Sequence, residues 1–173
     1  MMNRLLAMAL AAALALPAFA SEDIPDQYPG SVLYSKPVEF IPGVFSAIGA
    51  TAPSTYENAG HNNNLSFIVT GDGVVVVNGG GSYQLAEALH AEIRTVTDQP
   101  VKLVLNENGQ GHAMLGNSYW AKQGVKIVAH VDAAAEFEEY GAQSLQGAQN
   151  RLQERAEGTT LASPTETFED VYP

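Results

Sequence analysis

The chain has 173 residues, 46% of them hydrophobic, which suits one domain with a real core and is too apolar for a disordered polypeptide. Its formal charge of −11, from 19 acidic and 8 basic residues, argues against nucleic acid and anionic membrane surfaces as partners, because both select positive patches. There is no cysteine, so disulfides and thiolate metal sites are excluded.

Residues 1–20 have the layout of a secretory signal peptide. Arg4 supplies the positive start, Leu5 to Leu16 the apolar stretch, and Ala18-Phe19-Ala20 a small-x-small cleavage site before the polar Ser21-Glu22-Asp23. The run is short for a membrane span, so the expected location is periplasmic or secreted, with no membrane association beyond the signal. Residues 21–37, rich in Pro, Asp and Gly, are expected to form an extended leader. The domain is expected over 38–173.

Val38 to Ile41 and Val44 to Ile48 flank the turn dipeptide Pro42-Gly43 and predict two short strands. Gly49 to Asn64 is a polar loop ending in His61-Asn62-Asn63-Asn64, where a lone histidine is ordinarily solvated. Asn64 to Thr70 and Gly73 to Asn78 predict a hairpin about Gly71-Asp72-Gly73. The unbroken Val74-Val75-Val76-Val77 suits a strand covered on both faces. Ser82 is placed as an N-cap, and Leu85, Leu89, Ile93 and Val96 give Ser82 to Thr97 a helical apolar face. Val101 to Leu105 predicts a strand, Ser118 to Lys122 a short helix, and Val125 to Ala129 another strand. Asp132 is placed as the cap of a helix from Ala133 to about Glu157. No apolar run follows. The order β-β-β-β-α-β-loop-α-β-α predicts an α/β chain (an α+β mixed sheet) in which antiparallel hairpins are followed by βαβ units.

The loop Asn106 to Asn117, Asn-Glu-Asn-Gly-Gln-Gly-His-Ala-Met-Leu-Gly-Asn, stands where a strand hands over to a helix. Ligands in α/β sheets bind outside such carboxyl ends. Parallel strands would bring Asn78, Asn106 and His130 to one sheet edge, with Glu107, Asn108, Gln110 and His112 above it. Asn78, Asn106, Glu107, Asn108, Gln110 and His112 are therefore the candidate ligand loop. No residue can be given a catalytic role. Gly79-Gly80-Gly81 lacks the third glycine of a dinucleotide fingerprint, with Gln84 in its place, and is a tight packing turn or an anion cradle. No Gly-x-Ser-x-Gly elbow is present. A catalytic zinc needs three His, Asp, Glu or Cys ligands, and amides are poor substitutes. The expectation is no cofactor. If zinc binds, Glu107 and His112 would hold it with His61 or His130, His90 being a helix-surface residue.

The order of elements, the run Asn64 to Asn78 and the central loop resemble the N-terminal half of the metallo-β-lactamase fold, over about Val38 to Glu169. The likeness is nearest to exported metallohydrolases associated with quinoprotein systems. The family's hairpin ends in an Asp-Thr-Gly-like turn, and here the aspartate position is Asn78. Its metal motif, His-x-His-x-Asp-His before a glycine step, aligns through Gly116-Asn117 with Asn108, Gln110, His112 and Ala113. A shift of one residue instead matches His112 to the last histidine. The resemblance implies a partial αββα sandwich and a hydrolase-like scaffold with its zinc ligands replaced, non-catalytic as it stands. The alternative it implies is a divergent metal-dependent hydrolase of esters, thioesters or lactams. It also implies an exposed sheet face, covered by a homodimer or a second polypeptide.

Overall fold

The structure, a computed structural model, describes residues 28–172. The signal peptide and residues 21–27 of the leader lie outside the described residues. Seven strands form one sheet in strict chain order. They are β1 (Val38–Ile41), β2 (Val44–Ala47), β3 (Leu65–Val69), β4 (Val74–Val77), β5 (Val101–Asn106), β6 (Lys126–His130) and β7 (Glu166–Phe168). Pairing is antiparallel from β1 to β4 and parallel from β4 to β7. The helices are α1 (Tyr83–Val96), α2 (Gly111–Met114), α3 (Asn117–Lys122) and α4 (Val131–Leu152), which runs on into a 3-10 turn, Gln153–Ala156. This is the expected mixed sheet of hairpins followed by βαβ units.

Each parallel crossover adds its strand at the same growing edge. Right-handed crossovers must then place every helix on one face of the sheet. The packing agrees. Phe67, Val76, Val104 and Ile127 share one cross-strand row and are buried against Leu85, Leu89, Ile93, Tyr119 and Trp120 of α1 and α3. A second cluster joins Ala129 to Met114 of α2 and to Ala133, Phe137, Ala148 and Leu152 of α4. Ser82 caps α1 by accepting the Leu85 N–H at 3.2 Å.

The opposite face carries the alternate side chains. The registers set two rows across it. One runs Ile41, Val44, Ile68, Val75, Leu103, Lys126, and the other Val38, Ser46, Ser66, Val77, Leu105, Val128, Glu166. No described helix lies over them. At the β7 corner the tail bends back, where Tyr172 donates to Glu166 at 2.8 Å and Lys126 pairs with Glu166 at 2.8 Å. Val75 and Val77 are half-buried while Val74 and Val76 are fully buried. Among the described residues, helices cover the valine run on one face only, that of α1 and α3.

Four expectations are corrected. Residues 28–35 are no free leader: Leu33, Tyr34 and Ser35 are buried, and Tyr28 donates to Glu92 of α1 at 2.6 Å. The cap of α4 is His130, whose Nδ1 accepts the Asp132 N–H at 3.1 Å, and not Asp132. His90 is half-buried and not a free helix-surface residue, its Nδ1 lying 2.8 Å from the Tyr119 hydroxyl with Trp120 beside the ring. β7 forms without an apolar run, because Thr165 both donates to the Ile127 carbonyl and accepts its N–H, at 3.0 Å each.

Candidate ligand-binding site

Asn78, Asn106 and His130 do close their strands at one edge of the sheet. Asn78 turns the chain out of β4 with φ of +69°, a left-handed conformation that asparagine tolerates better than most residues. Its Oδ1 accepts the Glu107 N–H at 3.2 Å, tying the exit of β4 to the exit of β5.

The central loop is held from below by two buried amides. Asn117 donates to Asn106 Oδ1 at 2.9 Å, and Asn106 donates to Asn117 Oδ1 at 3.1 Å and to the Ala113 carbonyl at 2.8 Å. The Ala113 carbonyl also accepts the Gly79 N–H at 2.7 Å, and the Gly116 N–H donates to the Gly80 carbonyl at 2.6 Å. Trp120 Nε1 donates to the Gly79 carbonyl at 3.0 Å. A β-carbon on Gly116 would lie 2.0 Å from the Gly79 oxygen, and one on Gly79 2.3 Å from Asn117 Oδ1. The glycine run is therefore a backbone-to-backbone joint between the β4 exit and the α2–α3 turn. Its N–H groups at Gly79 and Gly116 are spent on protein carbonyls.

Above this joint lies a cavity of about 360 Å³. Gln110 and His112 from the central loop, Asn62 from the loop before β3, and Glu136, Tyr140, Ser144 and Arg151 from α4 supply its polar wall. Leu115, Ala148 and Leu152 supply the apolar side. The loop at 54–60 closes the far side. Asn58 holds that loop by accepting the Thr55 and Gly60 N–H groups at 3.0 Å each, and Arg155 stacks 4.3 Å over the Tyr56 ring. Gly109 packs so tightly on α4 that an added β-carbon would lie 2.4 Å from the Ala133 oxygen. Its N–H donates to Glu136 Oε2 at 3.0 Å, which orients that carboxylate beside the loop.

Burial lowers the pKa of His112, and the negative charges of Glu107 and Glu136 only partly offset this. At neutral pH the ring is a neutral imidazole with one free lone pair. Its Nε2 lies a long 3.5 Å from Asn108 Nδ2. Asn108 otherwise serves its own loop, accepting the Gln110 N–H at 2.9 Å.

Of the candidate loop, Gln110 and His112 line the cavity. Asn78, Asn106 and Asn108 brace it, and Glu107 is exposed to solvent. His61 and His130 do not join them. His61 is fully buried, its Nδ1 accepting the Tyr34 N–H at 2.9 Å, contrary to the expectation of a solvated loop histidine. His130 is occupied in capping α4 and meets the Phe168 ring edge-on at 5.7 Å. Among the described residues there is no group of three or more His, Cys, Asp or Glu side chains placed to hold a metal ion. The four positions aligned with the metal motif offer one imidazole, two amides and an alanine, and that donor set does not fit zinc.

Sequence reasoning missed the α4 wall. Glu136, Tyr140 and Ser144 recur every four residues, which places them on one side of a helix. That periodicity was available in the sequence once the helix was assigned.

The metallo-β-lactamase FIM-1 from Pseudomonas aeruginosa, solved in a mono-zinc form, superposes with a TM-score of 0.55 over 79% of this chain and 50% of that one, at 15% identity. The metallo-β-lactamase from Pontibacter korlensis gives 0.53 over 76% and 51%, at 19% identity, and TMB-1 gives 0.53 over 77% and 51%, at 10%. The chain has part of the metallo-β-lactamase fold. It spans about half the length of these solved structures. Likeness at such identity concerns the fold alone. No family model matches the sequence, and no curated protein matches it. In this partial metallo-β-lactamase fold the cavity stands at the carboxyl edge of the parallel strands, where α/β sheets hold their ligands.

Proposed function

We propose that the chain is an exported binding module for a small polar organic ligand, built on a metallo-β-lactamase-type scaffold whose zinc ligands have been replaced. In this reading it is a non-catalytic relative of the metallohydrolases associated with quinoprotein systems. The observation that carries the reading is the cavity of about 360 Å³ in which the neutral ring of His112 and the Gln110 amide face Glu136, Tyr140 and Arg151 of α4. A wall with a cation, an anion and neutral donors and acceptors suits a compact ligand that both donates and accepts hydrogen bonds. The amide and glycine joint beneath it keeps the wall in place without a metal.

The second reading is a divergent metal-dependent hydrolase of esters, thioesters or lactams. It is favoured by one observation: the negative charges of Glu107 and Glu136 both act on the neutral His112 imidazole, although the three side chains are not placed to hold a metal ion together. Elemental analysis of the purified chain after dialysis against trace zinc separates the two. The expected result is much less than one zinc per chain, with no zinc gained by the Asn108→His, Gln110→His double variant. Close to one zinc per chain, lost in His112→Ala, would overturn the metal-free binding-module reading, and zinc-dependent turnover of an ester, thioester or lactam would then carry the hydrolase one.

A further inference from the structure

The sequence holds two Asn-Gly pairs, Asn78-Gly79 and Asn108-Gly109. Such a pair carries a latent reaction, because glycine has no side chain to shield its backbone nitrogen from the asparagine amide carbon before it. Attack by that nitrogen closes a succinimide ring and expels ammonia, and water then opens the ring to aspartate or isoaspartate. The fold places the two pairs in different chemical settings. Asn78 is buried, and the Gly79 N–H is spent on the Ala113 carbonyl at 2.7 Å, an acceptor too weak to take a proton. Neither Asn78 nor Gly79 lines the cavity.

At Asn108 the reacting atoms meet partners of the right kind. The Gly109 N–H donates to Glu136 Oε2 at 3.0 Å, which puts a carboxylate within general-base reach of the attacking nitrogen. Asn108 Oδ1 accepts the Gln110 N–H at 2.9 Å. That bond marks the atom as the amide oxygen and sets a donor where negative charge grows as the amide carbon is attacked. Asn108 Nδ2, the nitrogen that must leave, lies 3.5 Å from His112 Nε2. Gly109, Gln110, His112 and Glu136 all line the cavity of about 360 Å³, which admits water to the loop. We propose that Asn108 is a self-modification site, at which Glu136 is the base that drives the Asn108 amide to aspartate and isoaspartate.

The Gly109 nitrogen bonds to the Asn108 amide carbon as its proton passes to Glu136 Oε2. The Gln110 N–H holds the charge that develops on Oδ1. When the carbonyl re-forms, the bond to Nδ2 breaks. That nitrogen takes a proton from water and leaves as ammonia, while Glu136 returns its own proton to the solvent. Water then adds to either carbonyl of the ring and reopens it. The net exchange is amide and water for carboxylic acid and ammonia, with nothing oxidised or reduced. The product is a carboxylate beside His112, which already feels the charges of Glu107 and Glu136. The cavity wall therefore grows more acidic as the chain ages, whatever ligand it holds.

The test holds the purified chain at neutral pH and follows both pairs over time by peptide mapping and mass spectrometry. Amide, succinimide, aspartate and isoaspartate are counted at each position. In the folded chain Asn108 should convert about tenfold or more faster than Asn78. It should also convert faster than it does in guanidinium chloride, where the two pairs should share one rate. Glu136→Gln keeps an acceptor for the Gly109 N–H and removes the base. It should slow conversion at Asn108 about tenfold or more and leave Asn78 as it was, with the circular dichroism spectrum kept. Should that variant fail to fold, the folded and unfolded rates of the parent chain decide. An Asn108 that converts no faster folded than unfolded overturns the proposal, since the reaction would then belong to the dipeptide alone. So do equal rates at the two pairs in the folded chain, or a folded Glu136→Gln that converts at the parent rate.

Discussion

His61 shows how much one side chain can fix. It is fully buried, its Nδ1 takes the Tyr34 N–H, and burial lowers its pKa from 6.5 to about 4, with the backbone of Ala47 and Asn63 partly offsetting the shift. Between these values the unfolded chain binds a proton that the folded chain does not, so stability is greatest above pH 6.5 and falls as the pH drops toward 4. The loss should be on the order of 3 kcal/mol, visible as a falling urea midpoint. His61→Gln, whose carbonyl can still accept from Tyr34, should flatten that fall. Asn117 is the second such residue, because its amide closes the pair with Asn106. Asn117→Ala leaves buried amide groups unpaired and should cost about 1–3 kcal/mol in urea unfolding, with faster hydrogen exchange along the central loop. The sequence made these residues look alike, as polar members of polar loops. Whether such a loop is solvated or buried depends on what packs over it. For His61 that is the segment around Tyr34, which itself looks like a leader. One long-range contact, invisible to local pattern, accounts for both misreadings.

Elements with local signals were legible. The Asp-Gly hairpin and the Ser82-capped helix were recovered to within a residue or two, because turn chemistry and apolar period act over neighbouring positions. β7 was not, since three residues, Glu-Thr-Phe, carry no alternation and are held by Thr165 reaching β6. The candidate site was half legible. Its loop was found from the Asn-Gly-Gln-Gly-His composition, but its opposite wall lay on α4, whose polar residues resemble an ordinary solvated stripe. The joint between elements gives a prediction at this scale. Gly116→Ala places a methyl 2.0 Å from the Gly79 oxygen and should cost about 3 kcal/mol or more, since two backbones must part. Gly71→Ala, with nothing within 4 Å, should change stability by less than about 0.5 kcal/mol. Equal effects at the two positions would mean that the β4 exit and the α2–α3 turn do not bear on each other.

At the scale of the fold, the seven strands of the described residues lie side by side in the order in which they occur along the chain. No strand has to be threaded between two others, and none has to wait for a later one before it can pair. A chain emerging from its N-terminus can add each new strand to an edge already in place. The β1–β2 and β3–β4 hairpins close over tight turns, β2 and β3 join across the longer loop at 48–64, and the costlier parallel joins follow over helical connections. Assembly is a one-way accretion, and until β7 is in place the growing edge holds its unpaired N–H and C=O groups open, with the next segment of the same polypeptide the nearest strand to fill them.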